Sequence, residues 1–346
     1  MEDEIKDEDS KNVDCEEWND QGIEQITYNL RGNRSRDYSS HIDQINKKDN
    51  FAFLSRRQKV SEGIKNFGED AIKALTTEHS QLERINVFQR IDPSRLTKEV
   101  TQRALRSVNI IQEKINKKLK GRTCTDGRKQ RNDDPVLEVS SRTILIEALI
   151  VSLLIDVHED RDMGIFDVKG SYLNASAPDD KFIVIQFNSR YVELLCEMNK
   201  DYGKDVVWEC GEKVLCLRAV KAIYRCVESS LLWYSHFMDN IRELGFKVNQ
   251  YESCVANKEI NGSTCTISWY IDDVKVSHCN TRVVDDVITQ MRDKYISIKV
   301  SRGRIHKFLG MTVEFMGQGN IAISMPRYIK ECVIKFLEQI SITGCG

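Results

Sequence analysis

The sequence predicts an α+β fold built on an antiparallel sheet. Helix-like and strand-like segments are mixed rather than strictly alternating. Several strands meet at hairpin turns, of which Asn261-Gly262 carries the strongest signal. Of the 346 residues 40% are apolar, enough for a real core, and with 18 Gly and 4 Pro the chain is neither collagen-like nor low-complexity.

Each element follows from local pattern. From Gly68 to Arg90, the spacing of Ile72, Leu75, Leu82 and Ile85 predicts a helix that Asp92-Pro93 ends. A second helix is expected over 104–119. Residues 142–157 are apolar on nearly all faces and read as a buried helix. Met163 to Val168 is a strand closed by Lys169-Gly170, and Lys181 to Phe187 is another. Ser229 to Leu244 reads as a helix with Trp233, Phe237 and Ile241 on one face and Gly245 as its stop. Strands Cys254–Ile260, Thr264–Tyr270 and Val274–Ser277 follow, joined at Asn261-Gly262 and Asp272-Asp273. A helix over Thr281–Tyr295, a strand pair around Gly317–Gly319 and a helix over Arg327–Ile340 complete the chain.

Charge is uneven. The first fifty residues hold 7 basic against 14 acidic side chains, and the remainder holds 44 against 39. An acidic, solvated leader is therefore expected over residues 1–66, followed by one folded domain over 67–346. Basic residues crowd the stretch from Arg103 to Arg131, opposed only by Glu113 and Asp126. Such a stripe suits a polyphosphate, or a solvated helix face. The 11 Cys form no C-x-x-C pair, so zinc is not expected. The acidic start is unlike a signal peptide, and the apolar run Ile144–Val157, broken by Glu147, is shorter than the ~20 residues of a membrane span. A soluble, intracellular protein with reduced thiols and no membrane partner is the expectation.

Chemistry points to carboxylates at strand ends. Asp272-Asp273 sits between two apolar strands, where it cannot serve the core and concentrates negative charge. Hard divalent cations suit such oxygen ligands. Asp167 ends another apolar strand, and if that strand pairs beside the hairpin, three carboxylates can hold two metals ~4 Å apart. Asp-Asp also occurs at 133–134, 179–180 and 285–286, so a plain surface turn is the alternative reading.

Longer blocks narrow the choice. Tyr270-Ile271-Asp272-Asp273 resembles the catalytic box of reverse transcriptases, and Phe166 to Asn174 resembles the first catalytic box of copia-type retrotransposon polyproteins. Lys120 to Gln130 resembles the family's basic fingers segment, Ala222-Ile223-Tyr224 with Leu231 to Tyr234 its central palm helix, and Phe308 to Met311 its primer grip. Pro326 to Ile329 resembles the helix after it. The blocks run in family order over about residues 67 to 340.

The resemblance implies a fingers-and-palm polymerase fold, with an antiparallel palm sheet packed on helices, and RNA-directed DNA polymerase activity by two-metal nucleotidyl transfer. Asp167, Asp272 and Asp273 would be catalytic and, with the Val168 carbonyl, hold two Mg²⁺ ions. Arg122 and the amides of Gly170 and Ser171 would meet the triphosphate, and Tyr172 would exclude a 2′-hydroxyl; an exposed Arg122 and a core Tyr172 are the plainer readings. Tyr270 and Ile271 would lie under the primer end, with Phe308, Leu309 and Gly310 positioning its backbone. RNA template, DNA primer and deoxynucleoside triphosphates are the implied partners, and a cytoplasmic virus-like particle is the implied location. Some positions depart from the family: Arg225 replaces its usual Gly, Glu228 stands where it would repel phosphate, and Asp126 stands where a basic residue is common. The sequence also stops at Gly346, short of the family's RNase H region. A catalytically inactive relic that at most binds nucleic acid is therefore the alternative.

Overall fold

The structure is a computed structural model that describes residues 57–343, apart from 115–116, 134–140, 179 and 318. In chain order its elements begin with β1 (Arg57–Lys59), α1 (Val60–Phe67), α2 (Glu69–Arg84), β2 (Phe88–Arg90), α3 (Lys98–Arg103), β3 (Leu105–Glu113), β4 (Leu119–Thr125) and α4 (Arg128–Asp133). Next come α5 (Ile146–His158), β5 (Asp162–Val168), α6 (Ser171–Asn174), β6 (Val184–Asn188), α7 (Ser189–Met198), β7 (Val207–Glu209), β8 (Glu212–Ala219) and α8 (Ser229–Glu243). The last stretch holds β9 (Lys247–Val248), β10 (Val255–Ile260), β11 (Ser263–Tyr270), β12 (Asp273–His278), α9 (Thr281–Lys294), β13 (Ile298–Arg302), β14 (Ile305–Phe308), β15 (Met311–Gly317), β16 (Asn320–Ser324) and α10 (Pro326–Thr343).

Three sheets organise these elements. The sheet that carries the acidic strands has the order β13-β5-β12-β11-β10-β9, antiparallel throughout. A second sheet runs β1-β3-β6-β8-β2, with β4 on β3 and β7 on β8, and β14-β15-β16 form a third. One face of the acidic-strand sheet presents Phe166, Ile267, Trp269, Val274 and Val276, all buried in one core with Trp233, Phe237 and Ile241 of α8 and Val284 and Ile288 of α9. The i, i+4, i+8 spacing on α8 puts its three apolar residues on one stripe. Gly245, at a φ of +82°, stops that helix, and Lys258 Nζ donates to the freed Leu244 carbonyl at 2.7 Å. At Gly164 a Cβ would lie 2.6 Å from Ile288, so α9 packs directly on the β5 backbone. No helix among the described residues is long and apolar enough to cross a membrane.

Several expectations are corrected. Where a helix is expected over 104–119, Leu105–Glu113 form β3, which pairs with β4 as a hairpin: Val108, Ile110 and Ile111 are β-branched, and β3 gains partners in β1, β4 and β6 that a helix would forgo. The basic stripe is thus largely a hairpin rather than a helix face. The helix expected to reach Arg90 ends at Arg84, and Phe88–Arg90 pair with β8 instead. Only one stripe of α5 is buried, at Leu149 and Leu153, while Ile146, Ile150, Val151, Leu154 and Ile155 stay exposed. The folded domain expected to begin at residue 67 already includes Arg57–Lys59, which pair with β3, and α1; residues 1–56, and Asp179 and Asp134 of the other Asp-Asp pairs, lie outside the described residues. Asp285-Asp286 falls within α9, as its polar pattern implies.

Candidate active site

Register brings the carboxylates together. β12 pairs antiparallel with β5, placing Asp273 directly opposite Asp167. Opposed residues point to the same face, with Cβ atoms about 4.5–5.5 Å apart, so both carboxylates leave the sheet at one end on one side. Tyr270 pairs with Asp273, which makes Ile271-Asp272 the two-residue turn. This corrects the expected Asp272-Asp273 turn by one position: Asp273 already belongs to β12. The Val168 amide donates to the Asp272 carbonyl at 2.9 Å and ties the turn to the neighbouring strand.

Crowding is visible in the electrostatics. Burial, and then Asp272 and Asp167, push the Asp273 carboxyl up to about 6. Asp272 is also raised, by burial and by Asp167, with its own amide and Arg122 opposing. No salt bridge among the described residues neutralises these acids, and no three His, Cys, Asp or Glu there close into a ready-made ligand set. The group is an open acidic edge, chemically suited to hard divalent cations.

Beside it lies a cleft of about 1000 Å³. Asp167, Val168, Gly170, Asp272 and Tyr224 line it on the carboxylate side, and Lys114, Lys117, Lys118, Lys120 and Arg122 of the β3–β4 hairpin line the other. Arg122 stacks on the Tyr224 ring, 5.9 Å from its centroid, and donates to Gln112 Oε1 at 3.3 Å. The Lys120 ammonium is pulled down by burial and by Arg122. Gly170 adopts a left-handed φ of +64°, and Ser171 behind it is buried. Tyr172 is half-buried, edge-on to Tyr224 at 5.2 Å, and its hydroxyl is raised by burial and by Asp272.

Not every expected residue gathers here. Tyr270 stands half-exposed at the end of β11, next to the turn. Phe308 is fully buried in the core and Leu309 packs against it, while Leu309 and Gly310 form the β14–β15 turn with φ of +52° and +78°; none of the three lines the cleft. Glu228 does not line this cleft: it is buried and ion-paired with Lys181, which corrects the expected repulsion. Asp126 is paired with Arg128, which holds its carboxyl down to about 2. Sequence reasoning missed Glu78 and Lys169, which line the cleft, and Trp233, whose Nε1 donates to the Ile271 carbonyl at 2.8 Å. Lys169 lies within the Phe166–Asn174 block and Trp233 within the Leu231–Tyr234 block, whereas Glu78 lies in neither.

A family model described as reverse transcriptase (RNA-dependent DNA polymerase) matches residues 86–345. The chain is 26% identical over 163 residues to the "Putative transposon Ty5-1 protein YCL074W" of Saccharomyces cerevisiae (strain ATCC 204508 / S288c), a match that covers 47% of this chain and 46% of that protein. A solved structure of the foamy viral protease-reverse transcriptase dRH in complex with ds DNA is similar at a TM-score of 0.42 and 11% identity, over 73% of this chain and 35% of that one. The chain thus spans less than half the length of each. With the acidic strand ends in register and three quarters of the sequence matched, the chain belongs to the reverse transcriptase family, as a copia-type retrotransposon region.

Proposed function

We propose that this chain is an RNA-directed DNA polymerase that adds deoxynucleotides to a DNA primer on an RNA template, with Asp167, Asp272 and Asp273 holding two Mg²⁺ ions. The observation that carries the reading is the Asp167–Asp273 register beside a basic cleft. When bound, the ions supply charge neutralisation for the triphosphate and a lowered pKa for the primer hydroxyl. The chain's own residues do the positioning. Asp273, already pushed up to about 6, is held as a carboxylate near neutral pH once a cation is its neighbour. The Val168 carbonyl and the amides of Gly170 and Ser171 lie along the path of the phosphates. Arg122, its guanidinium steadied on Tyr224, offers bidentate pairing to phosphate oxygens. Tyr172, wedged against Tyr224, leaves no room for a 2′-hydroxyl, and Tyr270 with Ile271 supports the primer end. Because Phe308 is buried, the 308–310 turn would act on the primer through Leu309, Gly310 and their backbone. Primer extension on an RNA template with Mg²⁺ tests the reading: Asp272→Asn should abolish extension, and equal extension by both proteins would defeat the catalytic assignment.

A second reading, a catalytically silent chain that binds nucleic acid through the basic hairpin, is favoured by Arg225. It holds a left-handed φ of +68° where the family's usual Gly would be unstrained. Salt-sensitive RNA binding without extension would support it.

A further inference from the structure

We propose that Trp233 is a positioning residue whose indole N–H holds the Ile271-Asp272 turn in a strained conformation, and thereby fixes where the Asp272 and Asp273 carboxylates stand. The catalytic consequence rests on the polymerase reading; the hold on the turn does not.

Ile271 has a φ of +56°. A β-branched residue there is an outlier, because its side chain crowds the backbone, and it persists only where the surroundings over-determine it. Two hydrogen bonds do so, one on each side. The Asp272 carbonyl accepts from the Val168 amide at 2.9 Å, tying the turn to β5. The Ile271 carbonyl accepts from Trp233 Nε1 at 2.8 Å, tying it to α8. The first bond is backbone to backbone and any sequence could make it. The second needs a donor at this position of the helix.

Trp233 is well placed to hold rather than merely fill. It is buried, and the rings of Phe237 and Tyr295 lie 5.5 and 5.6 Å from its own, so the indole has no room to swing away. A phenylalanine would satisfy the same apolar stripe, but it would leave the Ile271 carbonyl without this partner. The indole's added role is therefore the donated proton, aimed one residue before the Asp272-Asp273 pair. Displacements of about 1 Å at a reacting centre can cost about 100-fold in rate, so a hold of this kind matters to chemistry it never touches.

Amide hydrogen exchange of the full chain, paired with steady-state primer extension, tests the proposal. In Trp233→Phe, exchange at Val168 and across residues 270–274 should speed up about tenfold, while the β10–β11 hairpin stays within about twofold of wild type. Extension should lose about tenfold or more in kcat, with KM for the deoxynucleotide unchanged. In an Ile271→Gly background, where a positive φ carries no Cβ penalty, adding Trp233→Phe should change turn exchange by less than about threefold. If Trp233→Phe fails to fold, replacing Trp233 with 3-benzothienylalanine, which keeps the ring shape and lacks the N–H, gives the same readouts. Unchanged exchange at the turn, or a uniform rise across the whole sheet, overturns the proposal. If the turn loosens selectively while the wild type extends no primer, the positioning role stands and the polymerase reading falls. If the wild type extends primer and the turn is unaffected, the reverse holds.

Discussion

Asp273 shows what it costs to crowd carboxylates at one end of a sheet. Its carboxyl is pushed up to about 6 by burial and by its two acidic neighbours, against the 3.8 of an ordinary aspartate. A raised carboxyl pKa means that the folded state binds the proton more tightly than the unfolded chain does. Its ionisation therefore costs no folding stability below about pH 4, costs progressively more up to about pH 6, and imposes a constant penalty above that. Asp273→Asn should accordingly raise the melting temperature at about pH 8 in chelator, and leave it nearly unchanged at about pH 4. Equal shifts at both pH values would mean that the site does not crowd its charges. The three aspartates could be picked out from sequence because an acid between apolar strand segments has no use in a core. Trp233 could not, since an indole on the buried stripe of an amphipathic helix looks the same whether or not its N–H has a task.

At the scale of elements, a buried ion network docks α5 on the sheet. Lys275, in the middle of β12, is fully buried and paired with Asp156 near the end of α5, and Arg161 approaches the same carboxylate at 3.9 Å. Lys275→Met should destabilise by about 3–5 kcal/mol, because it leaves Asp156 buried with only a distant partner. Adding Asp156→Leu should recover most of that loss, and denaturant unfolding of the single and double variants would decide; no recovery would show that the pair is not a closed unit. The Arg225 loop invites the opposite change. Arg225→Gly removes a left-handed strain of roughly 1–2 kcal/mol and gives some back to unfolded-chain entropy, so a net gain of about 0.5–1 kcal/mol is expected in the same measurement. In the acidic-strand sheet β5, β10, β11 and β12 were legible, since turn residues bound them, and α8 and α9 carry clean apolar stripes, while β9 and β13 gave no reading. The β3–β4 hairpin was not, because its Leu105, Val108 and Gln112 also fit helical spacing, and only long-range pairing with β1 and β6 decides for strand. The stretch 189–219 gave no reading at all, and holds α7, β7 and β8.

Over the whole molecule, acidic and basic features far apart in sequence face one another across a single cleft. The carboxylates come from β5 and the β11–β12 turn, the lysines from the β3–β4 hairpin, and nothing local to either segment encodes their meeting. That arrangement divides the work: the acidic edge suits cations, while the hairpin suits phosphates. Lys114 and Lys117 are exposed on the cleft rim, at the hairpin's tip. If they meet the phosphates of a single-stranded template, each releases condensed counterions on binding, and each contributes about 0.7 to the slope of log K against log salt. Replacing both with Gln should therefore flatten that slope by about 1.4, and weaken binding alike for every RNA sequence, because phosphate contacts carry no base information. Fluorescence titrations of a labelled single-stranded RNA at several salt concentrations would read the slope directly. An unchanged slope would place the template elsewhere on the surface and separate the basic hairpin from the polymerase reading, even with the acidic edge intact.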